Sequence, residues 1–224
     1  MIDAAFPMPK NQLTPPRLAG GRDVRGGLAL KRVMDVAISG ALLVVLSPFL
    51  AAIGLAVKAT SPGPAFYGLD WVGQGGRRFR GYKFRTMGVG ADQQEAALQA
   101  QNEMNGPAFK MENDPRITPL GRFLRRYSLD ELPQLWSVLK GDLSLVGPRP
   151  PRAHEYAQFT PFQMGKMAVK PGITCLWQVE GRHRISDFDD WVRLDVRYIE
   201  TWSLWLDVKI LFRTAGVVLR GTGV

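Results

Sequence analysis

A run of 22 residues without a charge, from Val36 to Val57, constrains this chain more than any other part of its sequence. As a helix rising about 1.5 Å per residue it would be roughly 33 Å long, enough to cross the hydrocarbon core of a bilayer. A core helix of a water-soluble domain rarely needs so long an apolar stretch. Ser47-Pro48 sits at the middle of the run, with Lys31 and Arg32 before it and Lys58 after it. A proline removes a helical hydrogen bond and crowds the preceding turn, while a serine hydroxyl can bond a freed carbonyl. Cations at both ends favour keeping both ends on the cytoplasmic face. Together these features predict a re-entrant membrane helix over 30–60, broken at Ser47 and Pro48, that enters one leaflet and returns. A straight span with a tolerated kink is the alternative.

Residues 1–29 carry Pro7, Pro9, Pro15, Pro16 and four glycines without periodicity, and read as a flexible lead-in. No apolar run with a cleavage site occurs before residue 30, so the chain is expected to stay on the side where it is made. Residues 61–224 then form a cytoplasmic-face domain of ordinary size. The stop signal Ser61-Pro62-Gly63-Pro64 opens it, and the alternation in Phe79-Arg80-Gly81-Tyr82-Lys83-Phe84-Arg85 predicts an extended element within 66–86. An exposed helix is expected over 91–104, one or two helices over 120–139 interrupted near Pro133, a rigid turn at Pro148, Pro150 and Pro151, and two helices over 187–219. The expected fold class is a compact, helix-rich α/β domain without a large Rossmann-type sheet. The last helical pattern mixes Trp202, Trp205 and Phe212 with Lys209, Arg213 and Arg220. That mixture suits a membrane interface, although each tryptophan fits a core equally well.

Twenty-nine Lys and Arg against 20 Asp and Glu give a formal charge of +9, which calls for an anionic partner. Six Trp and 46% apolar residues exclude a disordered basic tail. Nucleic acid ranks last among the anions, because no recognition motif of that class is present. One Cys and two His exclude a disulfide framework and direct any metal toward oxygen ligands. No Walker A, Gly-x-Gly-x-x-Gly or Gly-x-Ser-x-Gly sequence occurs. Asp187-Phe-Asp189 matches an Asp-x-Asp metal motif, but three residues match by chance often.

The densest polar region runs from Asn113 to Arg152. Adjacent Asp130 and Glu131 lie between Leu129 and Leu132, near Arg125, Arg126, Lys140 and Arg149. An Asp-Glu pair is commonly a solvated helix face. Here the surrounding cations could hold phosphate oxygens. The two carboxylates could divide the work, one attacking or binding a divalent cation and the other moving a proton.

The segment from Arg126 through Pro150, with YSLDELPQL and LKGDLSLVGPRP, closely resembles the core of the bacterial sugar transferase family, the monotopic phosphoglycosyl transferases. The resemblance extends over KRVMD, Ser47-Pro48, SPGP, YKFRTM, NDPRIT, KPGIT, WQVEGR and YIETWSLWLDVKILFRT. It implies transfer of a sugar 1-phosphate from a UDP-sugar to undecaprenyl phosphate at the cytoplasmic face of the bacterial inner membrane, releasing UMP. By the same resemblance Asp130 is the nucleophile and a ligand of Mg2+, and Glu131 is its proton-transfer partner. Lys83, Arg125, Arg149 and Arg182 fall at phosphate- or nucleotide-binding positions, with Arg85, Arg116 and Lys170 as weaker candidates. The implied partners are the two substrates and an anionic phospholipid membrane, with room for a homodimer. Two departures stand out. Leu69-Asp-Trp-Val-Gly73 replaces a Gln-x-Arg-Val-Gly type sequence, and Cys175 stands where a Gly usually follows KPGIT, a strained substitution if that site needs positive φ. A catalytically inactive membrane scaffold for glycan assembly is the competing expectation.

Overall fold

The computed structural model of the chain describes residues 24–180 and 185–223. The helix α1 spans Val24–Thr60, six residues longer at its start than the expected 30–60. Gly26 and Gly27 had weakened that prediction, but Gly27 lies directly under the Trp202 ring, where a side chain would be crowded. The rest of the expected lead-in, residues 1–23, lies outside the described residues.

The expected break at Ser47 and Pro48 is not a gap: α1 is helical throughout, with Pro48 inside it. The reason is local. Pro48 has no N–H to offer the carbonyl four residues back, Val44, and the Ser47 hydroxyl donates to that same carbonyl at 2.8 Å. Buried residues of α1 fall at Lys31, Asp35 and Ser39 near one end and at Ile53 and Val57 near the other. From 40 to 52 nothing is buried, and Val44 and Val45 are about three-quarters exposed.

The KRVMD segment does more than flank an apolar run with charge. Lys31 Nζ donates to Asp207 Oδ2 at 2.6 Å and to the Val146 carbonyl at 2.9 Å. Arg32 donates to the Val138 and Leu139 carbonyls at 2.6 and 2.8 Å, and Asp35 accepts from the Leu145 amide at 3.0 Å. Every charge of the segment is therefore spent on a backbone or side chain of the following domain.

That domain opens with an antiparallel hairpin, β1 (Phe66–Val72) and β2 (Arg78–Phe84), registered Phe66 to Phe84 and Trp71 to Phe79. The exposed helix expected over 91–104 is α2, Ala91–Leu98, extended by a 3-10 turn to Gln101. The region 120–139 resolves into α3 (Pro119–Arg126), a 3-10 segment (Leu129–Gln134) and α4 (Leu135–Lys140). Thr118 caps α3 by accepting from the Gly121 amide, and Pro119 takes the first helical position where its missing N–H costs nothing. A short parallel pair, β3 (Ser144–Val146) with β4 (Gly172–Thr174), follows across the small helices α5 (Ala153–Tyr156) and α6 (Pro161–Met164). Then α7 (Leu176–Glu180), α8 (Phe188–Glu200) and α9 (Leu204–Arg220) complete a helix-rich fold with two small sheets.

The core gathers where α4, β3 and β4 meet α8 and α9, with Val138, Leu143, Val146, Ile199 and Ile210 almost fully buried. Each such side chain contributes about 1.5–3 kcal/mol of burial free energy. A second cluster holds Val72, Tyr156, Cys175, Trp191 and Val192, and a third joins Ile53 and Val57 of α1 to Phe84 and Leu124. Cys175 does not take a positive φ, so the strain expected there is absent. Its thiol is buried and pushed well above the ordinary range by desolvation. The two tryptophans at the start of this last segment part ways: Trp202, just before α9, packs against the core, whereas Trp205, Phe212 and Leu219 of α9 stand exposed.

Candidate active site

Asp130 and Glu131 open the 3-10 segment that joins α3 to α4. The helix α3 ends at Arg126, and Ser128 takes φ 53°, the left-handed region, before the chain re-enters helical geometry. That reversal places two carboxylates at the wall of a cavity of about 400 Å3. The strand β2 lies alongside and brings Lys83, α3 brings Arg125, and the proline-framed turn after β3 brings Arg149. Three of the four expected phosphate-binding cations thus converge on the same cavity as the acidic pair. Arg182 lies outside the described residues.

The two carboxylates differ in their partners. Glu131 Oε1 accepts from Lys83 Nζ at 2.5 Å and lies 3.8 Å from Arg149 Nη1. Asp130 is buried and takes part in no ion pair among the described residues. Burial raises its carboxyl above the usual range, and the nearby Lys83 and Arg125 work against that rise. Burial likewise pulls the Lys83 ammonium below its ordinary value, with Glu131 opposing. Arg125 is held in place by donating Nε to Thr86 Oγ1 at 3.0 Å. A buried carboxylate without an ion pair among the described residues, beside one held by Lys83 and inside a cationic shell, can attack or ligate while its neighbour orients the cations.

Mg2+ takes one or two carboxylates together with phosphate oxygens and water. Asp130 fits that donor set because its carboxylate makes no ion pair among the described residues, and a phosphorylated substrate would complete the shell. Among the described residues no group of three His, Cys, Asp or Glu side chains comes together. A fully protein-built cage is therefore not offered by these side chains.

The weaker cation candidates have structural occupations. Arg85 is buried and donates to the Pro64 and Ser61 carbonyls and to the Ser61 hydroxyl, tying β2 to the end of α1. Arg116 pairs with Asp114 at 2.7 Å and Glu95 at 3.2 Å. Lys170 does not line the cavity. Asp187 caps α8 by accepting from the Asp189 amide, and Asp189 accepts from Gln163, so that pair is a helix start rather than part of the cavity.

Sequence reasoning missed several lining residues, among them Tyr67, Glu95 and Lys166, and the partners that hold them. Tyr67 donates to Asp92 at 2.7 Å, and its hydroxyl is pushed up to about 12, mainly by burial. Glu95 holds Arg152 at 3.1 Å as well as Arg116. Lys166 and Asp195 form a buried pair at 2.6 Å beneath Trp191 and Phe188. These partners lie up to 57 residues apart, and no short motif announces them. The departure at Trp71 is accommodated rather than tolerated at random. Trp71 lines the cavity with its ring 5.8 Å from Lys83 Nζ, and Gly81 across the hairpin leaves room that any side chain would fill.

Residues 27–221 match the pattern of the family described as bacterial sugar transferase. The chain is 49% identical over 197 residues to the galactosyl transferase CpsE of Streptococcus agalactiae, covering 88% of this chain and 43% of that protein. It is 45% identical over 204 residues to the undecaprenyl-phosphate galactose phosphotransferase of Salmonella typhimurium, covering 89% and 42%. Against the exopolysaccharide production protein ExoY of Rhizobium meliloti it is 37% identical over 205 residues, covering 88% of both. The chain thus spans less than half of the first two relatives and most of the third.

Proposed function

The chain belongs to the bacterial sugar transferase family, and from that membership we propose that it moves a sugar 1-phosphate from a UDP-sugar to undecaprenyl phosphate. One observation carries the reading: Asp130, buried and without an ion pair among the described residues, lines a cavity shared by Lys83, Arg125 and Arg149. Asp130 attacks the phosphorus that bears the sugar, the bond to the UMP oxygen breaks, and UMP leaves with the bonding electrons. An oxygen of undecaprenyl phosphate then attacks the same phosphorus and displaces the Asp130 carboxylate. A carboxylate can approach a diphosphate only where its charge is offset, and the three cations supply that offset. Asp130 and substrate oxygens would hold Mg2+, which when bound would further neutralise phosphate charge. Glu131 keeps Lys83 and Arg149 aimed at the phosphates and takes part in proton movement with Lys83. The name of the Salmonella typhimurium relative supports the acceptor. Incubation with a panel of UDP-sugars, with and without undecaprenyl phosphate, tests the reading through UMP release. A folded protein that releases no UMP with any donor would leave the scaffold alternative standing.

The same reading places the chain on the membrane as a monotopic protein with residues 61–224 at the cytoplasmic face. Both ends of α1 are buried against one domain while 40–52 are not, which supports a helix that dips and returns. The exposed Trp205, Phe212 and Leu219 of α9 support an interfacial helix beside it. Single cysteines at Leu30 and Thr60 are expected to react with an impermeant thiol reagent from the same face. Cys175, buried with its thiol protonated, supplies a silent background. Labelling of the two positions from opposite faces would overturn the re-entrant reading.

A further inference from the structure

The turn that carries Asp130 is gripped from an unexpected direction. After α9 the chain turns at Gly221, φ 62°, and runs back over the end of α3. The Gly223 amide donates to the Arg126 carbonyl at 2.8 Å, and Arg126 Nε donates to the Gly221 carbonyl at 3.2 Å. The contact is close. A Cβ on Gly223 would stand 1.9 Å from the Arg125 carbonyl oxygen, and one on Gly221 would stand 2.8 Å from the Tyr127 ring.

The Arg125 carbonyl is the acceptor that holds the Ser128 amide, at 2.9 Å. Ser128 is the one non-glycine residue at positive φ among the described residues, and its own carbonyl accepts from the Glu131 amide at 3.3 Å. A non-glycine residue in the left-handed region persists only where its surroundings over-determine it. Here the surroundings include Gly221 and Gly223, two residues that no motif of the site contains.

We propose that Gly221 and Gly223 form a clasp that positions the nucleophile turn, fixing the Arg125 carbonyl and through it Ser128 and Asp130. The proposal rests on Asp130 acting as nucleophile. The clasp does not touch substrate; it keeps Asp130 in line with the cationic shell, so it acts on the rate of attack rather than on donor binding. Glycine is required at position 223 because the approach leaves no room for a Cβ, and at 221 because the turn is left-handed.

The test is Gly223→Ala, with Gly221→Ala as a second variant and Gly216→Ala as control, since a Cβ at Gly216 meets nothing within 4 Å. In single-turnover reactions with a UDP-sugar, Gly223→Ala is expected to slow phosphosugar-adduct formation about tenfold or more, with donor KM within about twofold of the parent. Gly216→Ala is expected to leave both unchanged. Hydrogen exchange gives a second reading that needs no turnover: the Ser128 and Glu131 amides are expected to exchange faster in Gly223→Ala and not in Gly216→Ala. Unchanged exchange at these two amides in both clasp variants overturns the proposal, as does an adduct rate equal to the parent's. Should the parent form no adduct, the assignment of Asp130 fails, and the exchange reading still decides whether the clasp holds the turn.

Discussion

Asp207→Ala is expected to cost about 3–5 kcal/mol of folding stability, the range for breaking one side of a buried ion pair. Asp207 has no exposed surface, and three donors converge on it. Lys31 reaches it at 2.6 Å, the Tyr198 hydroxyl at 2.7 Å and the Trp202 indole N–H at 3.2 Å. Alanine would leave the Lys31 ammonium nine-tenths buried with the Val146 carbonyl as its remaining partner, shared with the Tyr198 hydroxyl at 3.2 Å, and would take the acceptor from the Trp202 indole. In the parent the Tyr198 hydroxyl is held well above its ordinary value by burial first and then by the Asp207 charge, so it stays a hydrogen-bond donor to the network. Denaturant or thermal unfolding in detergent measures the effect. The paired change Lys31→Met with Asp207→Leu is expected to regain most of it, because it removes both charges from the interior. A loss below about 1 kcal/mol in Asp207→Ala would mean that the network does not seat α1 on the domain.

How much of this could be read from the sequence varied with the range of the interaction. The apolar run, the hairpin strand at 79–85 and the two closing helices were legible because each follows from local periodicity and turn chemistry. The start of α1 was not. Two glycines argued against a helix there, and only the packing of Trp202, 175 residues on, reverses the balance. In the sequence, Lys31 and Arg32 carry only a topology signal, as cations beside an apolar segment do. Their hydrogen bonds run to residues 106 to 176 positions away, which no window on the sequence contains.

At the site, the acidic pair and the cations Lys83, Arg125 and Arg149 were found because they lie in strings that resemble a family. The unequal partners of the two carboxylates were not legible. Adjacent residues in sequence, Asp130 and Glu131 diverge because Lys83 of β2 hydrogen-bonds to Glu131 and acts on Asp130 through its charge alone. Arg85 and Arg116, the weaker candidates from the same strings, also line the cavity, and there they fasten backbone and side chains. Type and position identify a cation. Whether it is free for a substrate depends on what the fold sets against it.

That difference between the carboxylates gives the second large prediction. Asp130→Asn is expected to lower turnover at least about a thousandfold, the scale of losing a nucleophile, and to abolish the covalent adduct seen by mass spectrometry. Its stability should move the other way. A carboxyl raised by burial favours folding most below the ordinary carboxylate range, and that advantage is lost as pH rises from the ordinary value through the raised one. Asparagine is never ionised and avoids the loss. With divalent cations chelated, Asp130→Asn is therefore expected to melt no lower than the parent at neutral pH, with any gain shrinking toward acid pH. Glu131→Gln should behave differently, because it weakens the 2.5 Å contact that compensates Lys83 in a desolvated setting. It is expected to lose both activity and stability. If Asp130→Asn and Glu131→Gln were equally destabilised and both kept the adduct, the division of roles between the two carboxylates would be wrong.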